Sequence, residues 1–336
     1  MARSSRTVLP VSELCRGILA GKRAVLAKAI TLAESTLQKD QQIIEKVLKK
    51  LLPHTGQSIR IAVTGVPGVG KSTFIETFGE LLALEGKRVG VLTVDPTSQK
   101  TKGSILGDKT RMERLSRNPH VFIRPSPSGL ALGGVSYHTR EAILLCEAAG
   151  FDVILIETVG VGQSETIVRG IVDFFLLLMI TGAGDELQGI KKGIMEMADG
   201  IAITKADGTN INPAKQAQAD AMQALHFQTP SLSGWKPKVL ATSSLENKGI
   251  AEVWRMIQEF QQHTTNNGYL NSNRQWQQAQ WLDEIVEGYY REMLNQPFIQ
   301  KEKKQLLKKI LNNSLLPADA AKQLWGYTIP GRKKKN

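Results

Sequence analysis

One nine-residue stretch constrains the fold of this chain more than any other. Residues 65–73 match the pattern G-x-x-x-x-G-K-[ST]. A β-branched run at 59–63 precedes the stretch, and apolar residues at helical spacing follow it from Phe74 to Leu82. A strand, a glycine-rich turn and a helix in this order predict a phosphate-binding loop. The predicted loop consists of Gly65, Val66, Pro67, Gly68, Val69, Gly70, Lys71, Ser72 and Thr73.

The residue types in this loop suit a nucleoside triphosphate. Glycines allow the backbone N–H groups to approach the phosphates, and the following helix directs its partial positive charge toward them. Lys71 is predicted to place its ammonium between the β- and γ-phosphates as a catalytic group, and the Ser72 hydroxyl is predicted to bind Mg²⁺. The loop alone does not distinguish kinases, ATPases and GTPases.

The rest of the chain predicts an α/β fold, a P-loop NTPase with a mostly parallel central sheet flanked by helices. We expect an N-terminal helical extension at 1–56, the P-loop domain at 57–262 and a C-terminal helical arm at 263–336. The polar stretch at 261–268 is typical of a linker or a frayed helix end. The predicted strands are 59–64, 88–94, 120–123, 152–157, 173–180, 200–204 and 238–242.

Composition limits the compartment and the partners. The longest apolar run, at 174–180, is far shorter than the roughly 20 residues of a membrane span. Cys15 and Cys146 are the two cysteines and lie far apart, so we expect no disulfide framework and a reducing compartment, the cytoplasm. The net charge is +12, but the basic stretches lack interleaved aromatic residues, which argues against nucleic-acid binding.

Acidic residues at predicted strand ends are candidates for the metal shell and the γ-phosphate switch. Asp95 and Asp108 either complete a Mg²⁺ shell or stabilise turns. Glu157 and Gly160 fit the D/E-x-x-G arrangement, in which the carboxylate orients a Mg²⁺-bound water and the glycine N–H contacts the γ-phosphate. Gln163 is a candidate for positioning the attacking water, although it follows the glycine by three residues.

A second loop has the residues needed to read guanine. Asp207 can accept hydrogen bonds from guanine N1–H and N2–H₂, while the Lys205 stem covers the ring. Thr204 stands where the usual N-K-x-D motif has asparagine, and it loses an amide that ties loops together. Ser243 and Ser244 follow the last predicted strand and are placed to offer a backbone N–H to guanine O6. The alternative is an ordinary loop in which Asp207 only stabilises a turn.

Longer segments resemble a known family, the MeaB/ArgK P-loop GTPases, which includes the human methylmalonic aciduria type A protein. The resemblance covers about residues 12 to 262, and it is weaker in the C-terminal arm. The segments that carry it are 28–34, 65–73, 94–98, 103–112, 122–128, 157–165 and 182–193.

This resemblance implies a GTPase that binds GTP, GDP and Mg²⁺ and acts as a metallochaperone. The expected client is an adenosylcobalamin-dependent acyl-CoA mutase, typically methylmalonyl-CoA mutase, whose cofactor loading and protection are coupled to slow GTP hydrolysis. Asp185 and Lys191 are the charged candidates in an additional switch that touches the mutase. Family members are homodimers, which favours a dimer contact over core packing for the apolar stripe at 276–294. The magnesium residues that match the family are Ser72, Asp95, Asp108 and Glu157.

Two other functions compete with this one. An older family name describes a kinase linked to basic amino-acid transport, which would need a pocket for a phosphoryl acceptor. A nickel-chaperone GTPase would need clustered Cys and His ligands, and five histidines with two separated cysteines supply no such cluster.

Overall fold

The computed structural model describes residues 9–95, 112–127, 135–158, 164–181, 192–226 and 231–328. These residues form two compact units. The first contains the described residues up to Gln278, and the second contains those from Ala279 onward. The predicted domain boundaries at 56/57 and 262/263 stay a prediction.

A seven-stranded sheet, entirely parallel, forms the centre of the first unit, in the order β3-β2-β4-β1-β5-β6-β7. The predicted α/β class and all seven predicted strands are confirmed, but β3 continues four residues beyond its predicted end. The strands are β1 Ile59–Thr64, β2 Val89–Asp95, β3 Val121–Pro127, β4 Val153–Thr158, β5 Phe174–Ile180, β6 Gly200–Thr204 and β7 Lys238–Ala241.

Helices surround the sheet and form the second unit. None of the described helices is long and apolar enough to cross a bilayer. The helices are α1 Val11–Leu19, α2 Arg23–Ala33, α3 Gln38–Leu51, α4 Lys71–Leu84, α5 Glu113–Arg117, α6 Val135–Ala148, α7 Ser164–Arg169, α8 Lys192–Glu196, α9 Ile211–His226, α10 Ile250–Asn266, α11 Tyr269–Leu294, α12 Pro297–Leu311 and α13 Pro317–Thr328.

Both faces of the sheet are covered, which explains why its central strands are continuous apolar runs. In β1, Ala62 joins one core cluster, whereas Ile61 and Val63 join the other. The first cluster also takes in α1, α2 and α3, through buried residues such as Ile18 and Ile30. The N-terminal helices therefore complete the hydrophobic core on one face of the sheet.

The polar stretch at 261–268 is the end of a helix, so of the two expected alternatives the linker is wrong and the helix end is confirmed. Helix α10 continues to Asn266, and only two residues separate it from α11. The Thr264 hydroxyl donates to the Phe260 carbonyl inside the helix, and the Asn267 side chain donates to the Ser233 carbonyl beyond its end. Gly268 has φ +79°, a left-handed conformation that lets the chain turn into the next helix.

Half of the apolar stripe of α11 is exposed within the chain, and the other half is partly buried. Leu282 and Tyr289 are 61% and 62% exposed. In the second unit, the Tyr290 and Trp325 rings lie 6.2 Å apart, and both residues are also exposed. Core packing within one chain therefore accounts for only part of the stripe.

The parallel register brings the carboxyl ends of the strands to one edge of the sheet. Val63 pairs with Glu157 between β1 and β4, and Ile180 pairs with Thr204 between β5 and β6. Ligands of open α/β sheets bind beyond this edge. The phosphate-binding loop, the Glu157 carboxylate and the loop after β6 thus surround one site.

Candidate functional site

The phosphate-binding loop connects β1 to α4, and its backbone requires glycine at two positions. Gly70 has φ +98° and is the N-cap of α4, so it turns the chain sharply into the helix. Gly65 has φ +149°, and a Cβ there would lie 2.5 Å from the Leu178 carbonyl oxygen. The loop can pass this close to β5 only without a side chain at residue 65.

Lys71 is folded back onto the loop that precedes it. Its ammonium donates to the Gly65 carbonyl at 2.8 Å and to the Val66 carbonyl at 3.1 Å, and the residue is buried. Burial lowers the pKa of Lys71, while the negative charges of Glu157 and Glu165 oppose that shift. Because the Lys71 ammonium is poorly hydrated here, it is placed to exchange these carbonyl oxygens for the oxygens of an anionic ligand.

Ser72 and Glu157 meet at the N-terminus of α4. The Ser72 hydroxyl donates to Glu157 Oε1 at 2.9 Å, and Glu157 is buried at the end of β4. Next to it, the Thr158 hydroxyl donates to the Thr64 hydroxyl at 2.8 Å, which joins the ends of β4 and β1. Two such oxygen ligands fit Mg²⁺, which takes one or two carboxylates and fills its remaining positions with phosphate and water.

No group of three or more His, Cys, Asp or Glu side chains that could hold a metal occurs in the part of the chain that the structure describes. A Mg²⁺ ion shared with a nucleotide needs no such group. Asp95 is the last residue of β2, beyond the Thr93 position that pairs with Glu157, and its backbone alone is described. The remaining predicted residues, Asp108, Gly160, Gln163, Asp185 and Lys191, lie outside the described residues and stay predictions.

The predicted guanine-reading loop follows β6 and contacts the phosphate-binding loop directly. The Lys205 ammonium donates to the Gly68 carbonyl at 2.9 Å. The Asp207 carboxylate accepts the Ser243 hydroxyl at 2.5 Å. Because the Ser243 N–H donates to the Lys248 carbonyl, Ser244 is the better candidate for a backbone donor to guanine O6.

Thr204 makes a connection between loops that was predicted to be lost with the asparagine of the usual motif. Its hydroxyl lies 2.7 Å from the Val69 carbonyl oxygen in the phosphate-binding loop and 3.1 Å from the Met179 carbonyl oxygen in β5. Thr204 is buried, so water does not compete for this hydroxyl. The hydroxyl thus joins the two loops where the usual motif uses an amide.

Three polar residues near the site were not among the predicted site residues. Glu165, in α7, is buried and its charge acts on Lys71. Thr181 and Asn210 are hydrogen-bonded to each other, and Asn210 also contacts the loop after β6. Local motifs do not reveal them, because Glu165 acts on Lys71 and Thr181 pairs with Asn210 across long sequence separations.

Known proteins resemble this chain over most of its length. Residues 26–301 match the sequence model of the family described as methylmalonyl Co-A mutase-associated GTPase MeaB. The GTPase ArgK of Escherichia coli is 46% identical over 318 residues, which are 94% of this chain and 95% of that protein. The mitochondrial methylmalonic aciduria type A homolog of Mus musculus is 44% identical over 322 residues, 93% of this chain and 78% of that protein.

One solved structure extends the likeness to three dimensions. The crystal structure of an LAO/AO transport system kinase superposes with a TM-score of 0.76 at 39% sequence identity. The superposition covers 96% of this chain and 99% of that one.

Proposed function

The chain belongs to the MeaB family of methylmalonyl-CoA mutase-associated GTPases, and we propose that it is a GTP-dependent chaperone of an acyl-CoA mutase. In this proposal it gates the loading of adenosylcobalamin into the mutase and protects the loaded enzyme. The observation that carries the proposal is the family match, which runs from residue 26 to residue 301 and so includes the whole nucleotide site.

The phosphate chemistry of the proposed site follows from the contacts of Lys71. With GTP bound, the ammonium would leave the Gly65 and Val66 carbonyls for the β- and γ-phosphate oxygens, which are stronger acceptors because they are charged. The N–H groups at the start of α4 would bind the same phosphates. Both contacts stabilise the negative charge that spreads over the phosphoryl oxygens during transfer.

We propose Ser72 and Glu157 as the residues that hold Mg²⁺, with Asp95 and Asp108 as further candidates. Bound there, Mg²⁺ would supply positive charge that partly neutralises the phosphates. The Ser72 hydroxyl donates to Glu157 Oε1, so the chain itself brings the two oxygen groups together. Gly160 and Gln163 remain the proposed residues for the γ-phosphate contact and the attacking water.

Guanine selectivity is assigned to Asp207, supported by Lys205. The Ser243 hydroxyl donates to the Asp207 carboxylate, and the Lys205 ammonium donates to the Gly68 carbonyl, which would hold the lysine stem across the base. Asp207→Asn should reduce the preference for GDP over ADP at least about tenfold, since an amide presents a donor where guanine also has one. Titration calorimetry of the wild type and Asp207→Asn with GDP and ADP tests this assignment, and an unchanged GDP-to-ADP preference would overturn it.

The chaperone role requires a response to the mutase. Purified mutase should accelerate GTP hydrolysis, and transfer of adenosylcobalamin to the apo-mutase should differ between GTP-bound and GDP-bound protein. Asp185→Ala and Lys191→Ala should reduce both responses, whereas Asp220→Ala, an exposed change in α9, should not. A hydrolysis rate that saturating mutase leaves unchanged would count against the role.

We infer a homodimer from the exposed stripe of α11. An exposed apolar face of this kind marks an interaction surface. Tyr289→Asp should convert the dimer to a monomer in sedimentation experiments, whereas Leu84→Asp, at an 87% exposed leucine in α4, should not. A monomeric wild-type protein at micromolar concentration would exclude this use of the stripe.

A kinase is the second candidate, because the superposed crystal structure is that of an LAO/AO transport system kinase. A kinase moves the γ-phosphate to an acceptor, whereas a GTPase moves it to water. Labelled GTP separates the two reactions. Label transferred to a protein or a basic amino acid faster than it is released as phosphate would favour the kinase.

A further inference from the structure

Asn210 connects the end of β5 to the loop that follows β6. Its Oδ1 accepts the Thr181 hydroxyl at 2.9 Å, and its Nδ2 donates to the Lys205 carbonyl at 3.1 Å. Its backbone N–H donates to the Asp207 carbonyl at 2.9 Å. One residue therefore binds the backbone of both Lys205 and Asp207, which flank the proposed base site.

The orientation of this amide is determined by its partners. The Lys205 carbonyl can only accept, so the Asn210 NH₂ group must face it. The Asn210 oxygen must then face the Thr181 hydroxyl, which can donate. The chain Thr181–Asn210–Lys205 thus has one consistent direction of donation.

The conformation that Asn210 stabilises is uncommon for a side chain such as lysine. Lys205 has φ +56°, in the left-handed region where the Cβ atom crowds the backbone. This conformation persists only when surrounding contacts hold it. The Asn210 amide on the Lys205 carbonyl is such a contact, and the Lys205 ammonium on the Gly68 carbonyl is a second.

Thr181 provides a firm point of attachment. It directly follows Ile180 of β5, which pairs in register with Thr204 of β6. Both strands are buried in the centre of the sheet. The end of β5 therefore supports the Asn210 side chain from outside the loop that this side chain holds.

We propose that Asn210 is a specificity-determining positioning residue, which holds Lys205 and Asp207 in the arrangement that reads guanine, with Thr181 fixing its orientation. This inference rests on the proposed assignment of base recognition to residues 205–207. A loop that adopts the reading arrangement only part of the time lowers the apparent affinity by that fraction. Removing the support should therefore weaken guanine nucleotides selectively, because ADP depends mainly on the phosphate contacts.

Four variants isolate the two hydrogen bonds. Asn210→Asp keeps the acceptor for Thr181 but sets a carboxylate oxygen against the Lys205 carbonyl, and Asn210→Ala removes both side-chain bonds. Thr181→Val removes the hydroxyl at nearly constant volume, and Thr181→Ser restores it. We expect GDP affinity to fall at least about tenfold in Asn210→Asp, about three- to tenfold in Asn210→Ala and about threefold in Thr181→Val, with less than about a twofold change in Thr181→Ser.

ADP affinity, measured in parallel by calorimetry, should change less than about twofold in all four variants. Equal losses for GDP and ADP would assign Asn210 a general structural role and overturn the inference. An unchanged GDP-to-ADP ratio in folded Asn210→Asp would also overturn it. If the Asn210 variants do not fold, the GDP-to-ADP affinity ratios of Thr181→Val and Thr181→Ser test the inference instead.

Asp207→Asn, measured alongside, separates the two proposals. A ratio that collapses in Asp207→Asn but not in the Asn210 and Thr181 variants refutes the positioning role alone. A ratio that survives Asp207→Asn refutes base reading by residues 205–207, and the positioning role fails with it. A GDP-to-ADP affinity ratio that falls in Asp207→Asn, in the Asn210 variants and in Thr181→Val, but not in Thr181→Ser, supports both proposals.

Discussion

Replacing Arg274 with alanine should destabilise the compact unit that contains the nucleotide site by about 3–5 kcal/mol. Arg274, near the start of α11, forms a bidentate pair with the Asp173 carboxylate, with N–O distances of 2.8 and 2.6 Å. It also donates to the Gly56 and Ser58 carbonyls, at 2.5 and 2.6 Å. These contacts hold the first turns of α11, within the same unit, to the edge of the sheet opposite the nucleotide site.

The magnitude follows from what the alanine variant leaves behind. The Asp173 side chain is fully buried, and the Arg274 side chain is 17% exposed. Without the guanidinium, the carboxylate would keep the Arg60 backbone N–H at 2.9 Å but lose its countercharge. Removing one partner of a buried ion pair costs free energy because the other charge stays buried without compensation. A loss of about 3–5 kcal/mol corresponds to a fall of roughly 5–9 °C in melting temperature for a unit of this size.

Denaturant unfolding followed by circular dichroism measures the loss, with two matched controls. Arg291→Ala removes an exposed pair with Glu287 in the same helix and should cost about 0.5 kcal/mol or less. Adding Asp173→Asn to Arg274→Ala should recover part of the loss, because it removes the stranded charge. A cost below about 1 kcal/mol for Arg274→Ala would refute the reasoning, since it would mean that Asp173 is solvated without its partner.

Three further predictions concern the site and its surroundings. Gly65→Ala should abolish GDP binding, because its Cβ would lie 2.5 Å from the Leu178 carbonyl oxygen; calorimetry showing wild-type affinity would contradict this. Lys71→Met should lower kcat for GTP hydrolysis at least about 100-fold in a phosphate-release assay. Burial, opposed by Arg169, raises the pKa of Asp199 from 3.8 to about 6, so the stability linked to its protonation is lost as the pH rises through this range. The melting temperature of the wild type minus that of Asp199→Asn should therefore decline from pH 4 to pH 7. A difference that stays constant over this range would contradict the prediction.

Local patterns in the sequence were sufficient for the sheet and for the phosphate-binding loop. The run Phe174–Ile180 is apolar throughout because both of its faces are covered, and such a run is readable without any tertiary information. The glycines of the loop are equally readable, because their spacing reflects backbone conformations that other residues rarely adopt. At 261–268 the sequence left a linker and a helix end open, since polar composition does not show that Thr264 and Asn267 bond to nearby carbonyls.

The amino-acid sequence by itself determined the class of fold, the family and the residue types of the nucleotide site, because each depends on spacing along the chain. Only the tertiary structure decided which groups pair across the sheet. Ser72 with Glu157, Thr204 with Val69 and Asn210 with Thr181 are separated by 85, 135 and 29 residues. Their contacts depend on the order and register of parallel strands, which bring strand ends that are distant in sequence to one edge of the sheet. No local sequence pattern specifies which distant residues meet there.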